Sequence, residues 1–505
     1  MWQPRLRRLD TSREVYRLFG RTGGTLRAER SRPGSALALT RHLVALFAFA
    51  AALALVPVAP AARSASPRYV APAGSGALFL INGHGWGHGV GMGQWGAEGY
   101  AQQGYTYEQI LAAYYPGTTP GQTATASIRV LLADGKKTLT ISSGRPMTVE
   151  DGNGVDYALA AGKTVMTKSL ELAVDGGAPQ ALTPPLTFSP ADGSNLKLVR
   201  AYRGQIVVDV VNGKLRAINV LPLEEYLYGV VPAEESSSWL PAALEAQAVA
   251  ARSYALASRR AAAPFDVYAD GRSQAYLGVS AESPAARLAV DQTAGEVLLY
   301  GGHVATTLFS SSTGGRTQSA ADAFGPPGRP YLVSVRDPYD SISPYHNWGP
   351  VAVTGKALGQ AFGVPGRVVD ATVKRNPSRR VSKLNVASTA DGTTPTAITG
   401  GTAASALGLR STWFSVGVLS LQPPSPNRPV KAGARVRLTG VVRGVRGVVV
   451  QSRSAGVPWT DLKSITPAAK TGAFRLVVRP RVTTDYRLAT ALDAAASVRI
   501  RVALP

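Results

Sequence analysis

The segment Leu221–Leu256, LPLEEYLYGVVPAEESSSWLPAALEAQAVAARSYAL, constrains the fold more than any other part of the chain. A strand-like run, Ile218 to Leu221, gives way to an acidic, aromatic turn of helix and then to VVPAE. Trp239 and Pro241 open a further helix; proline is tolerated in a first helical turn because its missing N–H would be unpaired there anyway. Leu244, Ala248, Ala251 and Ala255 recur at the three-to-four spacing of the buried stripe on an amphipathic helix. The stripe is almost all alanine, which predicts very close approach of its neighbours. Glu234 stands at the end of this apolar approach. A carboxylate in such a corner has its pKa raised, because desolvation disfavours the charged form. A carboxyl that keeps its proton near neutral pH is what a general acid needs. The plain alternative is a carboxylate at a helix start, stabilising the helix dipole by about 0.3–1 kcal/mol.

The 505 residues are enough for two or three domains, and 45% hydrophobic with 17% charged residues is a globular composition. Gly 53 and Pro 35 point to many turns and a β-rich body. The absence of cysteine excludes disulfides and thiolate metal sites. The net charge of +23 favours an anionic partner. The arginines are scattered and form no basic stripe interleaved with aromatics, so no nucleic-acid partner is expected. An anionic cell-wall polymer or a membrane surface fits the charge.

Residues 43–58, LVALFAFAAALALVPV, follow an Arg-rich stretch and precede Ala59-Pro60-Ala61, the charged, apolar and small-residue pattern of a secretory signal. Residues 1–65 therefore read as a cytoplasmic tail and signal peptide, and the protein as secreted or cell-wall associated, with a membrane as partner only if the segment stays uncleaved. Beyond it the pattern predicts an α+β, β-rich domain over 77–420 with a few helices, a Pro-rich linker over 421–431, and a small all-β sandwich of about six strands over 432–505. Ala77–Ile81, Ser127–Leu132, Thr138–Ser142 and Gln205–Val211 read as strands, Tyr107–Tyr114 as a helix, and Asn212-Gly213 as a hairpin turn.

Residues 82–97, NGHGWGHGVGMGQWGA, carry glycine at every second position from Gly83 to Gly93. Such density lets another backbone or a ligand approach closely. Gly91, Gly93 and Gly96 fit a literal dinucleotide pattern, but no strand–helix–strand unit surrounds them. His84 and His88 lack a nearby third metal ligand. Two readings remain open: a tight structural strand, and the wall of a sugar cleft in which Trp86 stacks and His88 and Gln94 hydrogen-bond.

Together these segments resemble the SpoIID/LytB family, the stage II sporulation protein D and amidase-enhancer group, over roughly residues 77–420. The resemblance is carried by YRGQIVVDVVNGKLRAINVLPLEEYLYGVV, PAEESSSWLPAALEAQAVAARSYAL, TAGEVLLYGGHVATTLFSSSTGGRT and GWGHGVGMGQWGA with AEGYAQQGYTYEQILAAYYPGT. It implies a SpoIID-like peptidoglycan lytic transglycosylase acting on peptide-stripped glycan strands, with Glu234 as catalytic acid. Glu235, where the family usually has methionine, is the alternative acid. The substrate-binding candidates are His88, Trp86, Gln94, Gln247, Arg252, Ser311 and Ser312; the turn from Ser310 to Gly315 would offer hydroxyls and amides to N-acetyl groups. For Arg252 an ion pair with Glu224 or Glu225 is the competing role. Tyr114 and Tyr115 read as core. No cofactor and no metal are expected, since the cysteine that some family members use for zinc is missing. The amidase-enhancer side of the family implies the rival role, a non-catalytic wall-binding protein whose partner is a cell-wall amidase. The Gly/His block, usually the end of the domain after the segment resembling LGLRSTWFSV, stands first here, over 77–120, as in a circular permutation. Leu78–Ile81 is therefore expected beside Trp413–Val418.

Overall fold

A computed structural model of the chain describes residues 76–124, 126–174, 177–260, 262–389, 395–424 and 427–503. The expected tail and signal segment lie outside the described residues. The architecture is α+β and rich in strands.

The largest sheet has seven strands in the order Val267–Tyr268, Ser127–Lys136, Lys214–Pro222, Gln205–Val211, Leu186–Pro190, Met147–Glu150 and Asp156–Leu159. All its pairs are antiparallel except that of Val267 with Val130. The hairpin joining Gln205–Val211 to Lys214–Pro222 turns at Asn212 and Gly213, whose φ values of 52° and 70° are those of a type I′ turn.

The second strand of that hairpin runs straight into a helix, α3 (Leu223–Glu234), which follows α1 (Gln94–Gln102) and α2 (Tyr107–Tyr114) in the chain. Pro222 caps α3 in extended backbone, and Glu224 and Glu225 lie in its first turn, where acidic groups suit the helix dipole. Glu235 breaks away at φ −128° and ψ 158°.

The next helix, α4 (Pro241–Ala257), has Pro241 in its first turn, as its sequence requires. Leu244, Ala248, Ala251 and Ala255 pack into one core with the large sheet. Ala243, Ala246, Val249, Ala250 and Tyr254 pack into a second core with Val90, Met92, Ile110, Leu111, Tyr114 and Tyr115. The expected stripe is thus real, but the helix is not amphipathic: both faces are buried. Alanine makes this feasible, because short side chains let two layers close on one helix.

The strand Leu78–His84 lies between Asn347–Thr354 and Phe414–Gln422. Its register sets Leu78 opposite Leu419, Phe79 opposite Val418, Leu80 opposite Gly417 and Ile81 opposite Val416, the neighbourhood anticipated for a permuted block. The same sheet continues through Val436–Arg443 to Ala473–Val478. A second sheet of Thr460–Ser464, Val449–Ser454, Thr484–Ala489 and Val498–Ile500 faces it, so the C-terminal region has the six strands its turn signals suggested. One correction concerns the linker. Leu421 and Gln422 are strand residues paired with Gly440 and Thr439, because the apolar alternation of 414–422 outweighs the prolines that follow.

Candidate functional site

Glu234 is the last residue of α3, half-buried, at a helix C-terminus and not at a helix start. The helix dipole there opposes a negative charge. Its Oε1 accepts the Ala275 N–H at 2.6 Å and its Oε2 accepts from Gln94 Nε2 at 3.3 Å. Burial raises its pKa above the usual carboxylate value, while the two hydrogen bonds restrain the rise.

The Ala275 amide is held by its neighbours. Tyr226 of α3 donates to Gln274 Oε1 at 3.1 Å, Gln274 Nε2 donates to the Ala251 carbonyl of α4 at 3.2 Å, and Tyr276 donates to Asn219 at 2.8 Å. The loop is therefore pinned between the two helices and the large sheet, with one N–H aimed at Glu234. Sequence reasoning missed this contact, since a backbone donor leaves no residue-type signal; the buried Gln274 and Tyr276 on either side are its only trace.

Gln94 opens α1, and its side chain also reaches the Glu234 carbonyl at 3.4 Å. The Gly/His block thus meets the VVPAE segment at the carboxylate, 140 residues apart in sequence. Glycine is needed for this approach. A Cβ on Gly91, at φ +72°, would stand 1.9 Å from the Leu308 carbonyl oxygen, and one on Gly96 would stand 2.0 Å from the Tyr114 hydroxyl. Beside Gln94, Trp95 donates its N–H to the Ser311 carbonyl at 3.0 Å and sets its ring edge-on to Trp239 at 4.9 Å. Both rings are half-buried. This aromatic pair next to the carboxyl was legible as two tryptophans but not as neighbours.

Glu235, the alternative acid, points inward. It is 5% exposed, and neither carboxylate oxygen has a partner among the described residues. Burial, with the charges of Glu234 and Glu98 added, raises its pKa well above the usual value. The backbone turn at Glu235 separates the two neighbours: one reaches the surface, the other does not.

The remaining candidates divide. Trp86 pairs through its backbone with Ser312, and its ring packs edge-on against Tyr345 at 4.4 Å with the Arg410 guanidinium at 4.8 Å. His88 accepts the Val90 N–H on Nδ1 at 3.0 Å and lies 5.9 Å from the Phe324 ring. Burial and the Arg380 charge lower its pKa to about 4, so its ring is neutral near pH 7. No hydrogen bond joins it to Glu234 among the described residues. His84 packs instead on Trp413 at 4.9 Å, so the two imidazoles have different partners. Ser311 contributes its carbonyl to Trp95.

Three candidates are corrected. Arg252 is fully buried and ion-paired with Glu224 at 2.6 Å, and also donates to the carbonyls of Glu296 at 3.1 Å and Val290 at 3.2 Å. It clamps α3 to α4 and the following strand and has nothing left for a ligand. Ser312 is also fully buried and donates to both oxygens of Asp340 at 2.8 and 3.0 Å. Asp340 collects the Thr313 and Gly314 amides as well, so three donors in the middle of the Ser310–Gly315 turn are spent on a buried aspartate. Gln247 is fully buried in α4, with both amide atoms unpartnered among the described residues, and does not reach a surface cleft.

The family model described as "SpoIID: Stage II sporulation protein" matches residues 211–300, the span from the hairpin turn through α3, α4 and the pinned loop. An uncharacterized protein of Brachyspira hyodysenteriae is 34% identical over 213 residues, 41% of this chain and 57% of that protein. The amidase enhancer of Bacillus subtilis is 40% identical over 114 residues, 23% of this chain and 15% of the enhancer. Stage II sporulation protein D of Bacillus subtilis is 34% identical over 149 residues, 26% of this chain and 42% of the relative. The matched stretches therefore span little more than half of these relatives' length at most. The segment that ends α3 at VVPAE and meets the Gly/His block at one carboxyl is thus the part of the chain that is similar to stage II sporulation protein D and to the amidase enhancer.

Proposed function

We propose that the chain acts on the bacterial cell wall as a peptidoglycan lytic transglycosylase, with Glu234 as its single acid–base group. The observation that carries this reading is the half-buried Glu234 carboxyl, raised in pKa and held by one backbone and one side-chain donor. A protonated Glu234 would give its proton to the glycosidic oxygen between N-acetylmuramic acid and N-acetylglucosamine. The muramoyl 6-hydroxyl then attacks the anomeric carbon, and Glu234, now a carboxylate, takes the hydroxyl proton. The bond lost at the leaving oxygen is replaced by the 1,6-anhydro bond, and no water is consumed. Gln94 and the Ala275 amide serve the carboxylate stage, when charge sits on the oxygens they face. The Trp95–Trp239 pair supplies an aromatic wall suited to a sugar ring.

The test is incubation of the purified protein with peptide-stripped glycan strands and detection of anhydro-ended products by mass spectrometry. Glu234→Gln is expected to lower the rate by about 10²–10⁴-fold, the usual contribution of a positioned acid. Wild-type activity should fall as pH rises through the elevated Glu234 pKa, because the proton is then lost before the substrate arrives. Undiminished product from Glu234→Gln would remove this residue from the mechanism. The similarity to an amidase enhancer favours the second reading, a wall-binding protein that stimulates an amidase. Its signature would be glycan binding and faster amidase turnover with no anhydro product.

A further inference from the structure

A cavity of about 350 Å³ opens among Gly315, Arg316, Arg336, Pro338, Arg379 and Trp413. It has three arginines and no acid in its wall. Arg316 spends part of its guanidinium on Ser334, at 3.3 and 3.4 Å. Arg336 and Arg379 are exposed, and their guanidinium groups have no hydrogen bond or ion pair among the described residues. The backbone fixes where these cations stand. Arg316 and Arg336 face each other across an antiparallel bridge. Arg379 holds a left-handed φ of 66° in the turn from Asn376 to Arg380, a conformation a non-glycine side chain adopts at a cost. The Arg375 guanidinium locks that turn by donating to the Arg379 carbonyl at 2.8 Å.

The acids nearest in sequence do not neutralise the arginines. Asp340 is enclosed by Ser312, the Thr313 and Gly314 amides and His346. Asp337 is buried, with one oxygen taken by Thr313. Trp413 gives the wall an aromatic face, with the His84 ring and the Arg380 guanidinium packed on its indole. Unpaired guanidinium groups beside an indole suit a ligand that is both sugar and anion, because guanidinium groups pair with carboxylates and indoles stack on sugar rings.

The cavity is tied to the Glu234 site by one continuous segment. Gly315 lines it, and four residues earlier Ser311 receives the Trp95 N–H, next to the Gln94 that holds Glu234. Resting on the transglycosylase reading, we propose that this cavity binds the lactyl carboxylate of a muramic acid residue in the same glycan strand. That carboxylate is free only where the stem peptide has been removed, so the site selects peptide-stripped strands by charge.

The experiment uses the full chain carrying Glu234→Gln, so that turnover does not disturb binding, and titrates it calorimetrically at low salt. One ligand is a peptide-stripped tetrasaccharide of alternating N-acetylglucosamine and N-acetylmuramic acid; the other is the N-acetylglucosamine tetramer, which lacks the carboxylates. The carboxylated sugar is expected to bind about tenfold tighter, the gain of one charge-assisted pair. Raising the salt to about 0.5 M should shrink that ratio. Adding Arg336→Gln with Arg379→Asn should abolish the preference and leave the uncharged tetramer within about twofold; asparagine suits the left-handed turn. Equal affinity for the two sugars in the starting protein, or a preference that survives the double substitution, overturns the proposal. A glycerol-phosphate oligomer bound through these arginines while the two sugars bind alike would also overturn it and assign the cavity to phosphate. A preference without any cleavage by the wild type would sink the catalytic reading and leave this one standing.

Discussion

Two adjacent glutamates show how far one backbone step can separate the environments of two like side chains. Glu234 and Glu235 differ by one backbone step, yet the first has two donors and a path to solvent, and the second has neither. Glu235 therefore lies where the neutral form of its carboxyl is favoured over the charged one. Its folded pKa lies well above its unfolded value of about 4.3, so its folded form holds a proton that the unfolded chain releases. Any stability tied to that proton is present below about pH 4.3 and is lost as pH rises toward the folded pKa. Glu235→Gln removes this loss, so the variant should melt close to wild type at pH 4 and above it at pH 7, by at least a few degrees. A thermal melt that falls below wild type at pH 7 would mean that the charged form of Glu235 is used in the fold. Glu234 and Gln94 were both legible as polar side chains set in apolar or glycine-rich segments, but Gln94, expected to hydrogen-bond a sugar, is found donating to Glu234. For Arg252 the structure favours the competing role, the ion pair with Glu224, whereas Ser312 was misplaced because its partner Asp340 stands 28 residues away on an element whose packing no local pattern announces. The Ala275 amide could not be found at all, since any residue type carries it.

At the level of the element, α4 was readable in its period and misread in its surroundings. The stripe Leu244, Ala248, Ala251, Ala255 faces the large sheet's core as its spacing required. The opposite face carries Ala243, Ala246, Val249 and Ala250, equally apolar, and meets the core built by the Gly/His block. A helix with apolar residues on two opposite faces is packed from both sides, and the small residues on the second face were the signal that a one-stripe reading passed over. The consequence is mechanical: α4 sets the distance between the layer that carries Glu234 and the layer that carries Gln94. Ala248→Leu should therefore cost about 1–3 kcal/mol in chemical denaturation, the range for overpacking a closed core. Ala248 is fully buried, so nothing at its position can swing out to solvent. A Leu variant as stable as wild type would show that this layer can yield, and that the spacing of the two site halves is not set by alanine.

For the whole molecule, the permuted order is resolved by strand pairing. The strand Leu78–His84 enters beside Phe414–Gln422, so the start of the described chain closes a sheet begun more than three hundred residues later. This was predictable because the family's order of segments named the missing neighbour; pairing strength had no part in it. What sequence could not show is that Phe414–Gln422 has a second partner. Val418 to Gln422 also pair with Arg443 to Thr439, and Leu78, Leu80, Leu419 and Leu421 share a core with Leu438, Val450, Leu488 and Ile500. The Pro-rich stretch suggested a boundary, because linker composition is local and sheet continuity is not. The C-terminal strands therefore cover an edge that would otherwise template aggregation, and they bury the outer face of the strand leading to the Gly/His block. A chain ended after residue 424 should expose those four leucines, aggregate at micromolar concentration and lose hydrogen-exchange protection at Leu78–Ile81. On the transglycosylase reading, glycan cleavage should fall with that protection, because Gln94 is placed by the block this strand anchors. A truncated chain that stays monomeric and keeps protection at those amides would show that the sheet's first three strands are sufficient and that the C-terminal strands do not support the site.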